Sequence, residues 1–310
     1  MKSALITGSA GFIGSNLARR LVNEGWIVDG VDDLSSGRRE FLPKIRQFFN
    51  DDFASDSILR IIKKQKYTTI FHLAAKPRVS YSVEHPLETN DTNVTKTLKL
   101  LDACKGHIDR FVNTSSSSVY GNTATLPTPE HTPHAPVSPY ALQKSMTEQY
   151  CRLYSEVYGL DTVSVRPFNV FGPNQLGDNP YALAVSSWLH AVKHGLPLRS
   201  DGDGTQTRDI TYVSNVVDMF VLCGEAPEKF MGNAYNAGAG GRISNNEVLE
   251  WFKKNFPNCV INHAPPRAGD VKDTQADMGY VYDTFAYKPK VDFWKGLELT
   301  STWAMNSPLF

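Results

Sequence analysis

Cysteine is scarce in this chain, and the four that occur are widely separated, at Cys104, Cys151, Cys223 and Cys259. None of them forms the closely spaced pair of a zinc site, and no regular spacing suggests a disulfide framework. The first apolar run is too short for the core of a secretory signal. A reducing compartment is therefore expected, and we predict a cytoplasmic protein without a metal site.

A net charge and a long apolar stretch are also missing. The 32 lysines and arginines balance the 32 aspartates and glutamates, so no global field attracts nucleic acid or an anionic membrane surface. No apolar stretch approaches the roughly 18 residues that a membrane span requires. We therefore predict neither a nucleic-acid partner nor a membrane partner, and any anionic ligand must be held by local donors.

The first half of the chain alternates short β-branched runs with longer amphipathic segments. Strands are predicted at 4–7, 26–31, 69–73, 110–114 and 162–166, and helices at 12–23, 57–64, 92–104 and 140–158. This alternation predicts right-handed crossovers and an α/β fold with a doubly wound parallel sheet of the Rossmann type. Ligands of such sheets bind beyond the carboxyl ends of the strands.

After Gly172 prolines and glycines become dense and the alternation is lost. We therefore predict a Rossmann domain over 1–172 and a smaller mixed lobe over 173–310. Segments near 205–240 are expected to return to the large domain. Further strands are predicted at 209–213 and 234–237.

Three glycines, Gly8, Gly11 and Gly14, lie between the first predicted strand and the first predicted helix. They allow a tight turn, a close approach of a pyrophosphate and close packing of helix on strand, and the helix N-terminus offers N–H groups to phosphate. Asp32 ends the second predicted strand, where a carboxylate accepts from ribose hydroxyls. A 2′-phosphate there would be repelled by roughly 4 kcal/mol, which favours NAD over NADP. Two arginines that follow in this loop leave NADP open.

Tyr140 and Lys144 are one helical turn apart on the same predicted face. Forming a phenolate at neutral pH costs ~4 kcal/mol, and a nearby ammonium and an oxidised nicotinamide both favour it. A run of hydroxyls over 114–118 ends the fourth predicted strand, where it has little packing value. Together the patterns predict a general base with a hydroxyl that shares its proton. Taken alone, they also fit a solvated helix face and a polar loop.

These motifs together resemble the extended short-chain dehydrogenase/reductase family, in its nucleotide-sugar epimerase branch, over nearly the whole chain. The matching pieces are 7–14, 32–35, 52–53, 72–75, Asn93, 115–121, 140–144, 166–173, 202–209 and 267–270. The resemblance implies that the Rossmann domain binds NAD and that the smaller lobe mainly binds a nucleotide sugar.

The resemblance also implies individual roles. The implied catalytic residues are Ser116, Tyr140 and Lys144. The implied cofactor-binding residues are Gly8, Gly11, Phe12, Ile13, Asp32, Asp33, Ser35, Asp52, Phe53, Leu73, Ala74, Ala75, Asn93, Tyr140, Lys144 and Phe168. The implied substrate-binding residues are Lys76, Ser117, Asn169, Arg208, Arg267 and Thr274.

For the reaction, the resemblance implies an NAD-dependent UDP-sugar 4-epimerase that oxidises C4 transiently, lets the 4-keto sugar rotate and returns the hydride. Dehydratases of the family carry Thr-Asp-Glu where this chain has Ser116, Ser117 and Ser118, so no carboxylate is present there for elimination. Thr274 stands where enzymes restricted to UDP-glucose and UDP-galactose carry tyrosine. It suggests room for the N-acetyl group of UDP-GlcNAc and UDP-GalNAc, with UDP-glucose and UDP-galactose as further substrates.

Several alternatives stay open. A UDP-glucuronate 4-epimerase also fits a small residue at Thr274. A dehydratase, decarboxylase or reductase on the same scaffold fits the cofactor motifs, and a catalytically silent NAD-binding protein belongs to a different functional class. The resemblance further implies a homodimer through a four-helix bundle, to which the helices predicted at 92–104 and 140–158 contribute.

Overall fold

The computed structural model describes residues 2–178, 182–265 and 272–310. Its helices are α1 (Phe12–Asn23), α2 (Asp56–Gln65), α3 (Val79–Glu84), α4 (Pro86–Asn90), α5 (Lys96–Cys104), α6 (Pro139–Tyr158), α7 (Ala184–Lys193), α8 (Val213–Glu225), α9 (Asn245–Asn255), α10 (Gly279–Phe285) and α11 (Phe293–Asn306). Its strands are β1 (Ser3–Thr7), β2 (Ile27–Val31), β3 (Gln47–Phe49), β4 (Thr69–His72), β5 (Arg110–Thr114), β6 (Asp161–Pro167), β7 (Val170–Phe171), β8 (Leu198–Asp201), β9 (Thr207–Arg208), β10 (Thr211–Tyr212), β11 (Ala234–Ala237), β12 (Ile243–Ser244) and β13 (Ile261–Ala264).

The chain divides into two compact units. Unit 1 comprises residues 1–121, 133–167 and 217–235, and unit 2 comprises residues 122–132, 168–216 and 236–310. None of the described helices is both long enough and apolar enough to cross a membrane.

A seven-stranded sheet has the order β11-β6-β5-β4-β1-β2-β3, and every pairing from β6 across to β3 is parallel. The predicted doubly wound Rossmann fold is therefore confirmed. The strand order reverses between β1 and β4, which is the point where such sheets open a crevice for ligands. The loops that leave these two strands are in close contact there. A Cβ added at Gly8 would lie only 2.7 Å from the backbone nitrogen of Ala74.

The core of unit 1 is an apolar layer that includes Leu5, Ile70, Leu100 and Phe111, all without exposed surface. Helix α1 adds Leu17 and other residues of one face, as its amphipathic pattern predicts. This apolar layer fixes the strands, so the polar residues at their carboxyl ends are held by a rigid support.

Two predicted elements differ from the structure. The strand predicted at 209–213 is wrong, because only Thr211–Tyr212 pairs and helix α8 begins at Val213. Val213, Val216, Val217 and Phe220 are buried at helical spacing, and this spacing outweighs the β-branched character of the run. The helix predicted at 92–104 contains a π turn at Asp91–Thr95 before α5.

Unit 2 carries short two-stranded sheets, of which β10-β7 and β13-β8 are parallel and β12-β9 is antiparallel. Its connections converge on Asp209, which has no exposed surface. The Asp209 carboxylate accepts from the backbone N–H groups of Ala239, Gly240 and Ala276 at 2.7, 2.9 and 3.0 Å. One buried side chain therefore ties two separate segments of this unit to the residues that follow β9.

Candidate active site

The glycine loop after β1 has the geometry that the sequence predicts. Gly8 has φ of +68°, and a Cβ on Gly14 would lie 2.0 Å from the carbonyl oxygen of Gly8. The loop therefore requires glycine for both the turn and the close approach of α1. Gly11 is the N-cap of α1 and offers no side chain to cap it. The N–H groups of the first helical turn, which begins at Phe12 and Ile13, are thus left without a side-chain cap.

The carboxylate of Asp32 lies beside this loop, where it accepts from the N–H groups of Ala10 and Leu34, both at 2.9 Å. Its burial raises its pKa, and those backbone hydrogen bonds oppose the rise. Asp33 accepts from the backbone and the hydroxyl of Ser35 at 2.9 and 2.6 Å. Asp32 therefore shapes the glycine loop and still has lone pairs for further donors.

Asp52 follows β3, and its carboxylate pairs with the ammonium of Lys96 at 2.6 Å. Asp91 lies 3.7 Å from the same nitrogen. The next residue, Phe53, is buried and packs against His72 with ring centroids 5.0 Å apart. Lys96 was missed by the sequence reasoning. It begins α5 directly after the π turn, and helices interrupted in this way are often functional.

The loop after β4 carries Leu73, Ala74, Ala75 and Lys76, all half-buried. Asn93 fixes this loop, because its side chain accepts from the N–H of Lys76 at 2.8 Å and donates to the carbonyl of the same residue at 3.2 Å. The oxygen and the nitrogen of the Asn93 side-chain amide therefore both hold the loop backbone in place. The Lys76 ammonium lies 3.3 Å from Glu88.

The serine run after β5 turns into a short 3-10 helix at Ser117–Tyr120, of which Ser116 is the N-cap. The Ser116 hydroxyl accepts from the backbone and the hydroxyl of Ser118 at 3.2 and 2.9 Å. Ser116 also hydrogen-bonds the phenol of Tyr140. The structure thus brings the predicted hydroxyl and the predicted base together.

Tyr140 lies in the first turn of α6, just after Pro139, and only 8% of it is exposed. Its backbone N–H donates to the hydroxyl of Ser82 in α3 at 3.1 Å. Burial raises the pKa of the phenol to about 12, while the hydrogen bond with Ser116 and the positive charge of Arg78 lower it. In the protein alone, the phenol therefore stays protonated at neutral pH.

The ammonium of Lys144 donates to the carbonyl of Thr114 at 2.6 Å and lies 5.9 Å from the centre of the Tyr140 ring. Burial lowers the pKa of Lys144 to about 8. The same charge, together with burial, lowers the pKa of His72 to about 3, so this histidine is neutral. Lys144 therefore supplies a cation beside the phenol. Because its pKa is lowered, this ammonium loses its proton more readily than an exposed lysine does.

Arg78 is a second cation near the phenol, and the sequence reasoning missed it. It is half-buried at the N-cap of α3, whose Ser82 hydroxyl binds the backbone of Tyr140. Burial lowers the pKa of Arg78, and the phenol of Tyr140 opposes that change. The available signal in the sequence was that Arg78 follows the predicted strand 69–73 by five residues, in the segment where ligands of such sheets bind.

Unit 2 brings together several residues predicted to bind substrate. The Asn169 amide donates to the hydroxyl of Thr274 at 3.3 Å, and that hydroxyl accepts from the N–H of Asp209 at 3.2 Å. The Arg208 guanidinium donates to the carbonyls of Thr207 and Lys272 at 3.0 and 2.7 Å. Thr274 is therefore fixed on both sides.

Phe168 is the one predicted cofactor-binding residue that lies outside unit 1. It belongs to unit 2, where it is buried and its N–H donates to the carbonyl of Ala237 at 3.1 Å. Arg267 lies outside the described residues. Within the described ranges, no cluster of histidine, cysteine, aspartate and glutamate has the arrangement of a metal site.

Comparison with known proteins decides the family. Residues 4–238 match the family described as "NAD dependent epimerase/dehydratase family". The chain belongs to this family. The predicted resemblance, an NAD cofactor and an enzymatic role are thereby confirmed.

Some relatives in this epimerase/dehydratase family match the chain over almost their whole length. The chain is 35% identical over 313 residues to "UDP-glucose 4-epimerase" of Mycolicibacterium smegmatis, covering 97% of this chain and 98% of the relative. Two solved structures are similar. A UDP-N-acetylglucosamine 4-epimerase of Methanobrevibacter ruminantium, in complex with UDP-N-acetylmuramic acid, has a TM-score of 0.91 and 33% identity, covering 97% of each chain. A Thermus thermophilus UDP-glucose 4-epimerase in complex with NAD has a TM-score of 0.90 and 31% identity, covering 98% of this chain and 99% of the other.

The residues of unit 1 fit the cofactor for which this epimerase/dehydratase family is named. The glycine loop leaves no room for a Cβ at Gly8 or Gly14, and the N-terminus of α1 has no side-chain cap. Asp32 stands at the end of β2, beside that loop. A backbone cradle for phosphate with a carboxylate for ribose is the pattern that a dinucleotide requires.

Proposed function

We propose that this protein is a UDP-sugar 4-epimerase that acts on UDP-GlcNAc and UDP-GalNAc, and also on UDP-glucose and UDP-galactose. The observation that carries the proposal is the buried phenol of Tyr140, which is hydrogen-bonded to Ser116 and lies beside the Lys144 ammonium. All three side chains lie at the carboxyl ends of a parallel sheet in a chain whose relatives are named 4-epimerases.

NAD, when bound, would supply a hydride acceptor for C4 of the sugar and, once reduced, a hydride donor for the opposite face of the keto sugar. In this proposal Gly8, Gly11, Phe12 and Ile13 hold its phosphates, and Asp32 holds its ribose. The remaining residues assigned to the cofactor are Asp33, Ser35, Asp52, Phe53, Leu73, Ala74, Ala75, Asn93, Tyr140, Lys144 and Phe168.

Tyr140 is proposed as the general base that takes the proton of the C4 hydroxyl and later gives it back. With a pKa of about 12, its phenolate would cost about 7 kcal/mol at neutral pH in the protein alone. Ser116 stabilises the phenolate by donating its hydroxyl proton, and the charges of Arg78 and Lys144 favour the same form. The positive charge of the oxidised cofactor adds to these terms, so the base becomes available only when the site is loaded.

The substrate side is proposed to combine a firm grip on the nucleotide with a loose grip on the sugar, because the keto sugar must rotate before the hydride returns. Asn169, Arg208 and Arg267 would hold the diphosphate and its nucleoside. Lys76, Ser117 and Thr274 would line the sugar. Thr274 leaves space at C2 for an N-acetyl group, which is why both pairs of UDP-sugars are proposed.

The same serine run speaks against a dehydratase. Elimination needs an acid and a base at 116–118, and this chain supplies only hydroxyls there. The nearest carboxylate on α6, Glu148, is already bound by Arg166 and Ser115. A UDP-glucuronate 4-epimerase remains the second candidate, since a small residue at Thr274 serves that substrate as well.

The test is incubation of the purified protein with UDP-GlcNAc, UDP-glucose and UDP-glucuronate in separate reactions, with products resolved by NMR. We expect UDP-GalNAc and UDP-galactose to form without net change in reduced cofactor. Product from UDP-glucuronate alone would transfer the assignment to the second candidate. Net production or consumption of reduced cofactor would identify a dehydrogenase or reductase and overturn the proposal.

A homodimer through helices α5 and α6 is also proposed. Leu142, Leu153 and Val157 lie on one face of α6 and are 50%, 45% and 61% exposed, which supports a covering partner helix. Light scattering should give a dimer for the wild type and a monomer for Leu153→Glu. Leu196→Glu, at an equally exposed position in unit 2, is the control and should remain dimeric. The cysteines are unpaired thiols, which supports the proposed cytoplasmic location.

A further inference from the structure

A buried polar network lies directly beneath the proposed catalytic residues, in a part of unit 1 to which the mechanism above gives no role. At its centre Arg166, near the end of β6, grips the Glu148 carboxylate with its Nε and Nη2 at 2.9 and 2.6 Å. Only 6% of the Arg166 side chain and 7% of the Glu148 side chain are exposed. Such a pair is a two-point, charge-assisted contact, so its geometry is tightly fixed.

The network reaches the serine run at two places. The hydroxyl of Ser115 donates to Oε1 of Glu148, and Nη1 of Arg166 donates to the phenol oxygen of Tyr120 at 2.7 Å. Ser115 immediately precedes Ser116, and Tyr120 ends the short helix that Ser116 caps. The network therefore holds both ends of the segment that presents the Ser116 hydroxyl.

Glu148 also belongs to the helix that carries Tyr140 and Lys144, two turns and one turn further along α6. Its carboxylate thus joins the serine segment to the tyrosine helix through one side chain. A hydrogen bond between Ser116 and Tyr140 requires that these two elements keep a fixed distance. A proton-transfer geometry of this kind tolerates little displacement.

We propose that Glu148 is a positioning residue for the reaction: clamped by Arg166, it fixes Ser116 relative to Tyr140 and places a negative charge beneath Lys144. This inference rests on the proposed function, because it assigns Glu148 a role in presenting that base. Glu148 touches neither substrate nor cofactor in this scheme. Its effect is exerted through the residues that do.

The charges around Lys144 give this role a measurable signature. The groups that face Lys144 are Glu148 and Cys151 on its own helix, His72 on β4 and the phenol of Tyr140. Of these, Glu148 is the carboxylate, and it favours the charged ammonium, whose pKa burial lowers to about 8. Removing the carboxylate should lower that pKa further.

The groups that face Glu148 come from three other segments of unit 1. Arg166 binds it from β6 and Ser115 from the segment after β5, while His134 lies 3.4 Å away in the loop before α6. Burial lowers the pKa of His134, so the ring is neutral at physiological pH. It therefore adds no competing charge in the pH range where Lys144 titrates.

The experiment compares two substitutions of Glu148 with a matched buried pair. Glu148→Gln removes the charge but keeps the size, and Glu148→Asp keeps the charge but shortens the reach. We expect Glu148→Gln to lower kcat about tenfold to a hundredfold with little change in KM. The alkaline limb of its kcat profile should shift about one pH unit downward. Glu148→Asp should lose kcat to a similar extent without that shift.

Asp161→Asn is the control, because it breaks the equally buried Arg110–Asp161 pair at the opposite ends of β5 and β6. Its kcat per folded molecule and its pH profile should match the wild type. Bound NAD and circular dichroism report the folded fraction in every variant. If Glu148→Gln does not fold, the loss of kcat in folded Glu148→Asp decides the question.

Two results would overturn the inference. One is a Glu148→Gln variant with the kcat and pH profile of the wild type. The other is a kcat that falls only in proportion to the folded fraction, as a purely structural pair would give. Failure of the proposed function itself is distinguishable, because the wild type would then show no epimerisation at any pH.

Discussion

Two buried arginine–carboxylate pairs lie at opposite ends of strand β6, one joining it to β5 through Arg110 and the other joining it to α6 through Glu148. At the amino ends of β5 and β6, Arg110 binds Asp161 at 2.6 Å and also donates to the backbone carbonyls of Cys223, Ala226 and Glu228 at 3.0, 2.7 and 2.6 Å. At the carboxyl end, Arg166 binds Glu148 at the same distance, and its further partners include the side chains of Tyr120 and His134.

The difference between the pairs shows how one interaction serves two purposes. Backbone carbonyls neither titrate nor change identity with the sequence, so the Arg110 pair is a fixed brace between strands and α8. Side-chain partners connect the Arg166 pair to hydroxyls and to a helix that carry the proposed chemistry. We therefore expect the amino end to govern stability and the carboxyl end to govern activity.

The largest effect is expected at the carboxyl end. Tyr140→Phe removes the only proposed base, and we expect kcat to fall about a thousandfold or more, since general acid–base catalysis contributes on that order. The phenyl ring keeps the packing, so the melting temperature and the bound NAD should stay at wild-type values. Turnover measured with saturating UDP-sugar checks this, and normal activity in the variant would remove Tyr140 from the mechanism.

At the amino end, Asp161→Asn should lower the free energy of unfolding by about 3 kcal/mol, because it leaves a buried guanidinium charge without its carboxylate. Urea denaturation measures this loss. Glu156→Gln, in the exposed Arg152–Glu156 pair, is the control and should leave stability unchanged. If the Asp161→Asn variant is as stable as the wild type but has lost turnover, the amino end governs activity and the account is contradicted.

Lys144→Met tests whether the buried ammonium that the proposed reaction needs lowers the free energy of unfolding. The folded pKa is about 8 and the ordinary value is 10.5, so burying the charge destabilises the fold fully below pH 8 and not at all above pH 10.5. After loss of the hydrogen bond to Thr114, we expect the variant to be about 2 kcal/mol more stable at neutral pH and inactive.

The stability advantage of Lys144→Met should shrink as the pH rises from 8 to 10.5, which melting curves at several pH values would follow. Lys193→Met is the matched control. The Lys193 ammonium also donates to backbone carbonyls, those of Ala304 and Ser307. Its loss should lower stability, and a Lys144→Met variant that behaves in the same way would contradict the account.

The smallest effect is expected in unit 2, which contains neither pair. Thr274→Tyr should lower the ratio of activity on UDP-GlcNAc to activity on UDP-glucose about tenfold, by filling the space for the N-acetyl group. The pH profile should stay unchanged. Thr274→Ser keeps the hydroxyl that Asn169 and Asp209 bind, and it should keep the wild-type ratio. An unchanged ratio in the tyrosine variant would exclude Thr274 as a determinant of specificity.

The elements that could be predicted from the sequence are those with a clear local periodicity. The alternation of β-branched runs and amphipathic helices predicted the central strands and α6 within a residue or two, since their burial pattern is written along the chain. The short strand Gln47–Phe49 and the start of α8 at Val213 were missed. In both places, pairing or packing with distant residues decides the structure.

The candidate site divides in the same manner. The glycine loop, Ser116, Tyr140 and Lys144 were predicted because their spacing is a local pattern. Arg78, Lys96 and the Glu148–Arg166 network were missed, because their partners are far away in the chain. No periodicity predicts that the arginine at the N-cap of α3 lies close enough to affect a phenol 62 positions later, which the packing of α3 on α6 brings about.

The most direct test of the account uses UDP-GlcNAc that carries deuterium at C4. If the hydride leaves C4 and returns to C4 on the opposite face, the UDP-GalNAc formed should keep its deuterium, and reactions in heavy water should add none at that carbon. NMR of the product measures both. Loss of the label to solvent, or no epimer formed at all, would contradict the central claim.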